Sequence, residues 1–337
     1  MDRPEHFERP FDLASYARRG PGHRDHLSRG DIGQIARTVR RAPEVMVKVL
    51  SRGGQDLKAV RRHIEYLRER EGGEREVETD DGRQLSGKGV TKELVEDWDL
   101  KLEAHRNRSD LSVRGGGSQK LVHKLLFSMP PGTLPEMVLS AVKNLAREEF
   151  GLKHRYAMVL HTDELHPHVH LVLKAVSELG VRLHIRKQTL RHWRQEFARH
   201  LRVLGVAANA TDRFPRGVTE PRKLDGIYRP AHPKPGERSR FSTHMRGREE
   251  AVARELKAGS LIVEPGKATL LATRRNLDQG WQAVSEILRT QGHPELAADV
   301  QRFVADMPPA LTEKEYLAKT FLERGREPRS PEPPRVR

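Results

Sequence analysis

The stretch HTDELHPHVHLVLK, residues 161–174, constrains this chain more than any other, because it gives one strand two opposed faces. Side chains at i and i+2 of a strand point the same way. If 168–174 is extended, His168 and His170 project together with Val172 and Lys174, while Val169, Leu171 and Leu173 point opposite. One face then belongs to a core and the other carries imidazole. The apolar run YAMVL at 156–160 leads into His161, and the short DELHP connection lets a hairpin fold His161 back beside the pair. The product is a three-histidine cluster at the mouth of a buried strand.

Three neutral imidazoles on a rigid platform suit a divalent metal that keeps open coordination positions, the arrangement of a catalytic rather than a structural site. Isolated histidines are usually only hydrogen-bonded, and an HxH pair alone is a weak signal. His161 and Asp163 immediately upstream tip the reading towards metal. Asp163 is placed to accept from an imidazole and orient it. His166, before Pro167 in the turn, reads as a bystander. Such a centre either activates water for hydrolysis or polarises a scissile phosphate. No HExxH occurs anywhere, which argues against a zinc protease.

Charge selects between those chemistries. The formal net charge is +15, with Arg and Lys spread through most of the chain, so a polyanion is the expected partner and nucleic acid the commonest one. The absence of cysteine excludes disulfides and thiolate metal sites. There is no apolar run of about 18 residues and no signal-peptide pattern at the N-terminus, so no membrane insertion is expected and the cytoplasm is the default location.

Along the chain, residues 1–42 are polar and Gly/Pro-punctuated and read as a flexible, mostly irregular arm. EVMVKVL (44–50) reads as a strand, SRGG as a turn, and Asp56 as the cap of a helix to about Arg70 with Leu57, Val60, Ile64 and Leu67 on one stripe. Residues 71–89 are charged and glycine-rich, 91–106 look helical, RGGGSQK (114–120) is a connector, and LVHKLLFS (121–128) is a second strand. Thr133 and Glu136 have capping-box spacing ahead of a helix to about Phe150. YAMVLH and HVHLVLKAV supply two more strands, and a helix at 187–204 carries Leu190, Trp193, Phe197, Leu201 and Leu204 on one face. Helical segments follow at about 245–258 and 265–304. The segmentation is therefore an arm at 1–42, a main domain at 43–212, a basic Pro-rich linker at 213–248, a helical region at 249–320 and a disordered Arg/Pro-rich tail at 321–337. The fold class is α+β: a sandwich with a central, mainly antiparallel sheet flanked by helices, plus C-terminal helices.

If a metal polarises a phosphate, something else must attack it. Of the five tyrosines, Tyr66 in RRHIEYLRERE stands out, because it falls nearly opposite the apolar stripe of its helix. Its helical neighbours are His63, Arg62 and Arg70, cations that would hold a phosphate and favour a phenolate. Taken alone, Tyr66 reads first as an ordinary surface tyrosine on a charged helix.

Three stretches in order, VMVKVLSRGGQDLKAVRRHIEYL, HKLLFSMPPGT and HTDELHPHVHLVLK, resemble the three motifs of conjugative relaxases. The likeness is closest to the P-type mobilisation group that includes the T-DNA border endonuclease, within the HUH endonuclease superfamily. It covers roughly residues 43–220, and ATDRFPRG (210–217) resembles the stretch after that family's last nuclease helix. The resemblance implies a relaxase-type sandwich with Tyr66 as nucleophile, Ser128 as a DNA contact near the nick, and His161, His168 and His170 as metal ligands. Lys174 stands where relatives often have asparagine, so the family's role does not transfer; on strand parity it is a candidate phosphate contact. Arg62, Arg186 and Lys187 are further candidate DNA contacts, the last two opening a basic helix whose charge run otherwise reads as a solvated face.

The activity implied is that of a relaxase of a plasmid or integrative element. It nicks one strand at a transfer origin through a 5′-phosphotyrosine and rejoins it after conjugative transfer, with Mg²⁺ or Mn²⁺ in first place as cofactor and Zn²⁺ as the alternative. Single-stranded DNA, a relaxosome accessory protein and a type IV secretion coupling protein are the implied partners. The location implied is the bacterial cytoplasm, with export to a recipient cell. A rolling-circle replication initiator shares the chemistry, although there the HxH pair usually precedes the tyrosine helix. A non-catalytic basic DNA-binding accessory protein is the reading from another class.

Overall fold

The central strands place apolar residues at both parities, so each face of one sheet builds its own core. In the computed structural model the described residues are 12–17, 24–50, 54–70, 73–114, 119–219 and 243–324. The chain divides into two compact units, 41–210 and 1–40 with 211–337.

The first unit holds a six-stranded, wholly antiparallel sheet in the order β1-β6-β8-β7-β4-β5. Its strands are β1 (Met46–Val49), β4 (Val77–Thr79), β5 (Gln84–Leu85), β6 (Val122–Ser128), β7 (Tyr156–His161) and β8 (His168–Lys174). A separate two-stranded ladder joins β2 (Glu69–Arg70) and β3 (Gly73–Glu74). Central β8 is buried along its whole length, yet its two faces differ. Val169, Leu171 and Leu173 pack with Leu125 and Phe127 of β6 against helices α6 (Pro135–Phe150) and α7 (Lys187–Val203). Trp193, Phe197 and Leu201 are the α7 contribution to that core. Val172 and Val122 face the other way, under α3 (Leu57–Arg68), α4 (Val90–Asp97) and α5 (Leu100–Arg114). The α+β sandwich expected from the sequence is the fold observed.

The stripe on α3 buries Val60, Ile64 and Leu67, and Asp56 caps the helix by accepting from the amides of Lys58 and Ala59. Gly54, just before that cap, lies against β6: a Cβ there would meet the Val122 carbonyl at 2.4 Å, so the close approach that docks α3 on the sheet requires glycine.

Several local expectations are corrected. The glycine-rich segment 71–89 contributes β4 and β5, and β4 extends the sheet beyond β7. The helix expected over 91–106 is two helices, broken at buried Trp98 and at Asp99, which has a φ of 51°. The Thr133–Glu136 capping box does not form; Leu134 is the N-cap and Pro135 opens the helix, its fixed φ supplying the start.

In the second unit, residues expected to be mostly irregular contain α1 (Leu13–Ala17) and α2 (Arg29–Val39). Ser28 and Asp31 form a capping box at the start of α2. Leu13, Tyr16, Ile35 and Val39 share a core with Leu277, Trp281, Val284 and Phe303 from α9 (Lys267–Thr290) and α10 (Pro294–Ala305). The helix expected over 265–304 thus breaks between α9 and α10, at Gly292 with a φ of 82°. α8 (Thr243–Lys257) and α11 (Glu313–Arg324) complete the eleven described helices. Of the basic linker, 220–242 lies outside the described residues, as does 325–337 of the tail, while 321–324 ends α11.

Candidate active site

Register brings the histidines together. Ser128 on β6 stands opposite His168 on β8, which stands opposite His161 on β7. The next row on the same face is Leu126, His170 and Val159. The three imidazoles therefore occupy adjacent sites on one face, with ring centroids 5.2 Å (161–168), 4.7 Å (161–170) and 5.3 Å (168–170) apart. All three are buried, and one ligand atom from each lies within 4.8 Å of the others.

Backbone carbonyls set their tautomers. His161 Nε2 donates to the Leu67 carbonyl at 3.0 Å, and His168 Nδ1 donates to the His166 carbonyl at 2.9 Å. The opposite nitrogen of each ring, Nδ1 of His161 and Nε2 of His168, then keeps its lone pair. Burial pushes the His161 pKa from 6.5 down to about 4, so its ring is neutral at ordinary pH. Fixed tautomers, neutrality and convergence are what a divalent cation needs from imidazole ligands. The set fits a metal.

The Leu67 carbonyl belongs to the last turn of α3, where helix carbonyls lack intrahelical partners. The hydrogen bond from His161 therefore pins the end of the helix carrying Tyr66 to the triad. One turn before Tyr66, His63 places its ring 6.1 Å from that of His170, edge to face. Tyr66 follows His63 by three positions, so it shares that flank of α3, and it is 47 % exposed.

The other candidates are distributed differently. Asp163 lies 3.9 Å from His161 Nδ1 and 3.5 Å from an Arg75 guanidinium nitrogen, and the Leu67 and His166 carbonyls accept from His161 and His168. His166 contributes its carbonyl, while its side chain is exposed. Burial, then Lys124 and His161, push the His63 pKa down to about 4, so its ring is a neutral donor rather than the cation suggested by the helix wheel. Arg62 is exposed on α3. Lys174 shares the histidine face but stands at the far end of β8, buried and paired with Glu178 at 2.9 Å. Arg186 and Lys187 are exposed at the start of α7, which packs on the opposite face of the sheet. The structure does not bring these last three together with the triad.

A second cluster, Glu148, Glu196 and His200, also has metal-like spacing. There Arg199 hydrogen-bonds both carboxylates, so their charge is already compensated.

His63, His123 and His161 all have pKa values pushed from 6.5 to about 4, with burial the largest cause in each. Between those limits the unfolded chain binds more protons than the folded one, so stability falls as pH drops from 6.5 towards 4. Metal-free protein is expected to unfold at lower denaturant concentration at about pH 5 than at about pH 7.5. Equal midpoints would mean these rings are protonated in the folded state.

Residues 66–205 match the family model described as Relaxase: MobA/VirD2-like, nuclease domain. Over those residues the chain is similar to the nuclease domain of the relaxase family, a family of DNA-nicking proteins. The matched stretch begins at Tyr66 and includes all three histidines of the triad. No curated protein and no solved structure matches the chain. No described helix is long and apolar enough to cross a membrane.

Proposed function

We propose that this protein is a relaxase that nicks one strand at a DNA transfer origin and stores the broken bond as a 5′-phosphotyrosine on Tyr66. The observation that carries the proposal is the hydrogen bond from His161 to the Leu67 carbonyl, which ties the tyrosine helix to the triad. His161, His168 and His170 would hold the cation. When bound, a divalent cation there offsets negative charge on the non-bridging oxygens of the scissile phosphate.

The chain's own groups do the rest. The Tyr66 hydroxyl oxygen forms a bond to phosphorus, the P–O3′ bond breaks, and the 3′ oxygen leaves as a hydroxyl with a proton drawn from solvent. The phenol proton passes to solvent in exchange. One phosphodiester replaces another, so the reverse attack by a 3′-hydroxyl rejoins the strand. The triad is buried, and the carbonyls of Leu67 and His166 hold two of its rings in the tautomers a ligand needs. Ser128, in register with His168, would contact the strand near the nick.

The working location proposed is the bacterial cytoplasm. A relaxosome accessory protein and a type IV coupling protein are proposed as partners, the arginine-rich tail serving export. The test of the catalytic reading is covalent capture of a labelled single strand by wild-type protein on a denaturing gel, with divalent cation present.

A further inference from the structure

The face that carries the triad continues along β6 into a side chain whose placement asks for an anion. Lys124, Leu126 and Ser128 alternate onto that face, and Lys124 stands opposite Val172, one register step past the Leu126–His170 pair. From His170 this is about 7 Å along the strand and about 5 Å across it. Lys124 is only 8 % exposed, yet its ammonium has no hydrogen bond and no ion pair among the described residues. Burial, then the charge of Lys120, push its pKa down. A mostly covered lysine stem that ends in an ammonium without a partner among the described residues is a site where an anion would offset the partial loss of solvation.

Its neighbour is His63, the ring that also touches His170, and Lys124 is the charge His63 senses most strongly. The His63 Nε2 is buried and likewise has no hydrogen-bond partner among the described residues. At the outer edge of the same strip, Lys48 on β1 stands opposite Leu126, exposed and without an ion pair among the described residues. Ser128, at the triad end, makes only a long 3.4 Å contact to the Met129 carbonyl. Two cations and an unsatisfied ring nitrogen thus line one side of the triad, and among the described residues no carboxylate pairs with either cation.

Resting on the DNA-nicking reading above, we propose that Lys124 and His63, with Lys48 at the rim, form a subsite for the backbone phosphate adjoining the scissile one. By seating that phosphate, the subsite sets which linkage reaches the triad. Lys124 is then a positioning residue, binding backbone without reading sequence.

The experiment is fluorescence anisotropy with a labelled oligothymidylate of about 20 nucleotides, in divalent cation, over a series of salt concentrations. Lys124→Met is expected to bind about tenfold more weakly at low salt, and its log K against log salt slope should be shallower by about 0.7, one lost phosphate contact on a single strand. Lys124→Arg should keep both affinity and slope. The melting temperature of Lys124→Met should equal or exceed that of wild type, since a partly desolvated charge is replaced by an apolar side chain of similar length. If Lys124→Met melts lower, Lys124→Gln replaces it as the uncharged variant for the same slope. Wild-type affinity and slope in the uncharged variant would overturn the subsite and leave Lys124 as packing. Inorganic phosphate that binds wild type but not the variant, with oligonucleotide binding equal in both, would assign a free-anion site and overturn it also. Adduct formation is scored separately. Wild-type adduct with an unchanged slope sinks the subsite alone; a changed slope with no wild-type adduct sinks the nuclease reading alone.

Discussion

Tyr66→Phe is expected to abolish the covalent protein–DNA adduct and strand joining while leaving fold and DNA binding in place. The substitution keeps the ring and the helix and removes one oxygen. Because Tyr66 is 47 % exposed and off the Val60, Ile64 and Leu67 stripe, stability should change by no more than about 0.5 kcal/mol. Backbone cations supply most of the affinity for a strand, so binding should persist. Three readings separate on one denaturing gel with a labelled cognate strand. A tyrosine nuclease gives an adduct with wild type and none with Tyr66→Phe. A metal–water nuclease cuts without an adduct, and a non-catalytic binder does neither.

An adduct surviving in Tyr66→Phe would move the nucleophile to another tyrosine, and the structure narrows that choice. Tyr16 and Tyr156 are buried in the two cores, and burial is the main cause raising both phenol pKa values. Neither is suited to meet a strand as a phenolate. Tyr316 lies on α11 in the helical unit, and Tyr228 lies outside the described residues. An adduct mapped to either would refute the active site as placed here.

How much of this was legible in the sequence depended on whether a feature obeys a local period. The triad was legible because β8 has period two: parity alone put His168 and His170 on one face, and a short connection returned His161 beside them. The stripe and cap of α3 were legible for the same reason at period 3.6. Parity names a face without naming an end, which is why Lys174 reads like a site residue and sits at the far end of β8 with Glu178. It also does not say which layer covers a face, so the basic start of α7 looked available to the triad.

Backbone groups leave no trace in a sequence, so the Leu67 and His166 carbonyls that accept from His161 and His168 could not be read from it. His63 was misread as a solvated cation because it flanks the α3 stripe, and only the position of His170 reveals that it is covered. The helices at 13–17 and 29–39 were missed for a different reason. Their apolar residues are few, and the partners that bury them are far along the chain, as in the hydrogen bond from Leu27 N to Gln291 Oε1 at 2.9 Å. Short strands such as β4 owe their pairing to β7 rather than to their own composition.

The second large effect concerns the metal. His168→Ala and His170→Ala should each lower Mn²⁺ affinity by more than the roughly 10- to 100-fold typical of losing an outer-shell partner, and should abolish nicking. Each removes one of three converging ligand atoms, and the two that remain cannot close the site. His166→Ala should be mild, since its carbonyl, which alanine retains, holds His168 and its exposed ring does not. His200→Ala tests the other cluster: with Arg199 bonded to Glu148 and Glu196, its loss should leave Mn²⁺ binding unchanged. Calorimetric titration of the four variants orders them, with circular dichroism confirming that each is folded. If His168→Ala and His170→Ala bind Mn²⁺ as wild type does while His200→Ala does not, the metal belongs to the helical cluster on α6 and α7. The triad would then be a hydrogen-bonded core, and Tyr66 would have no cation to work with.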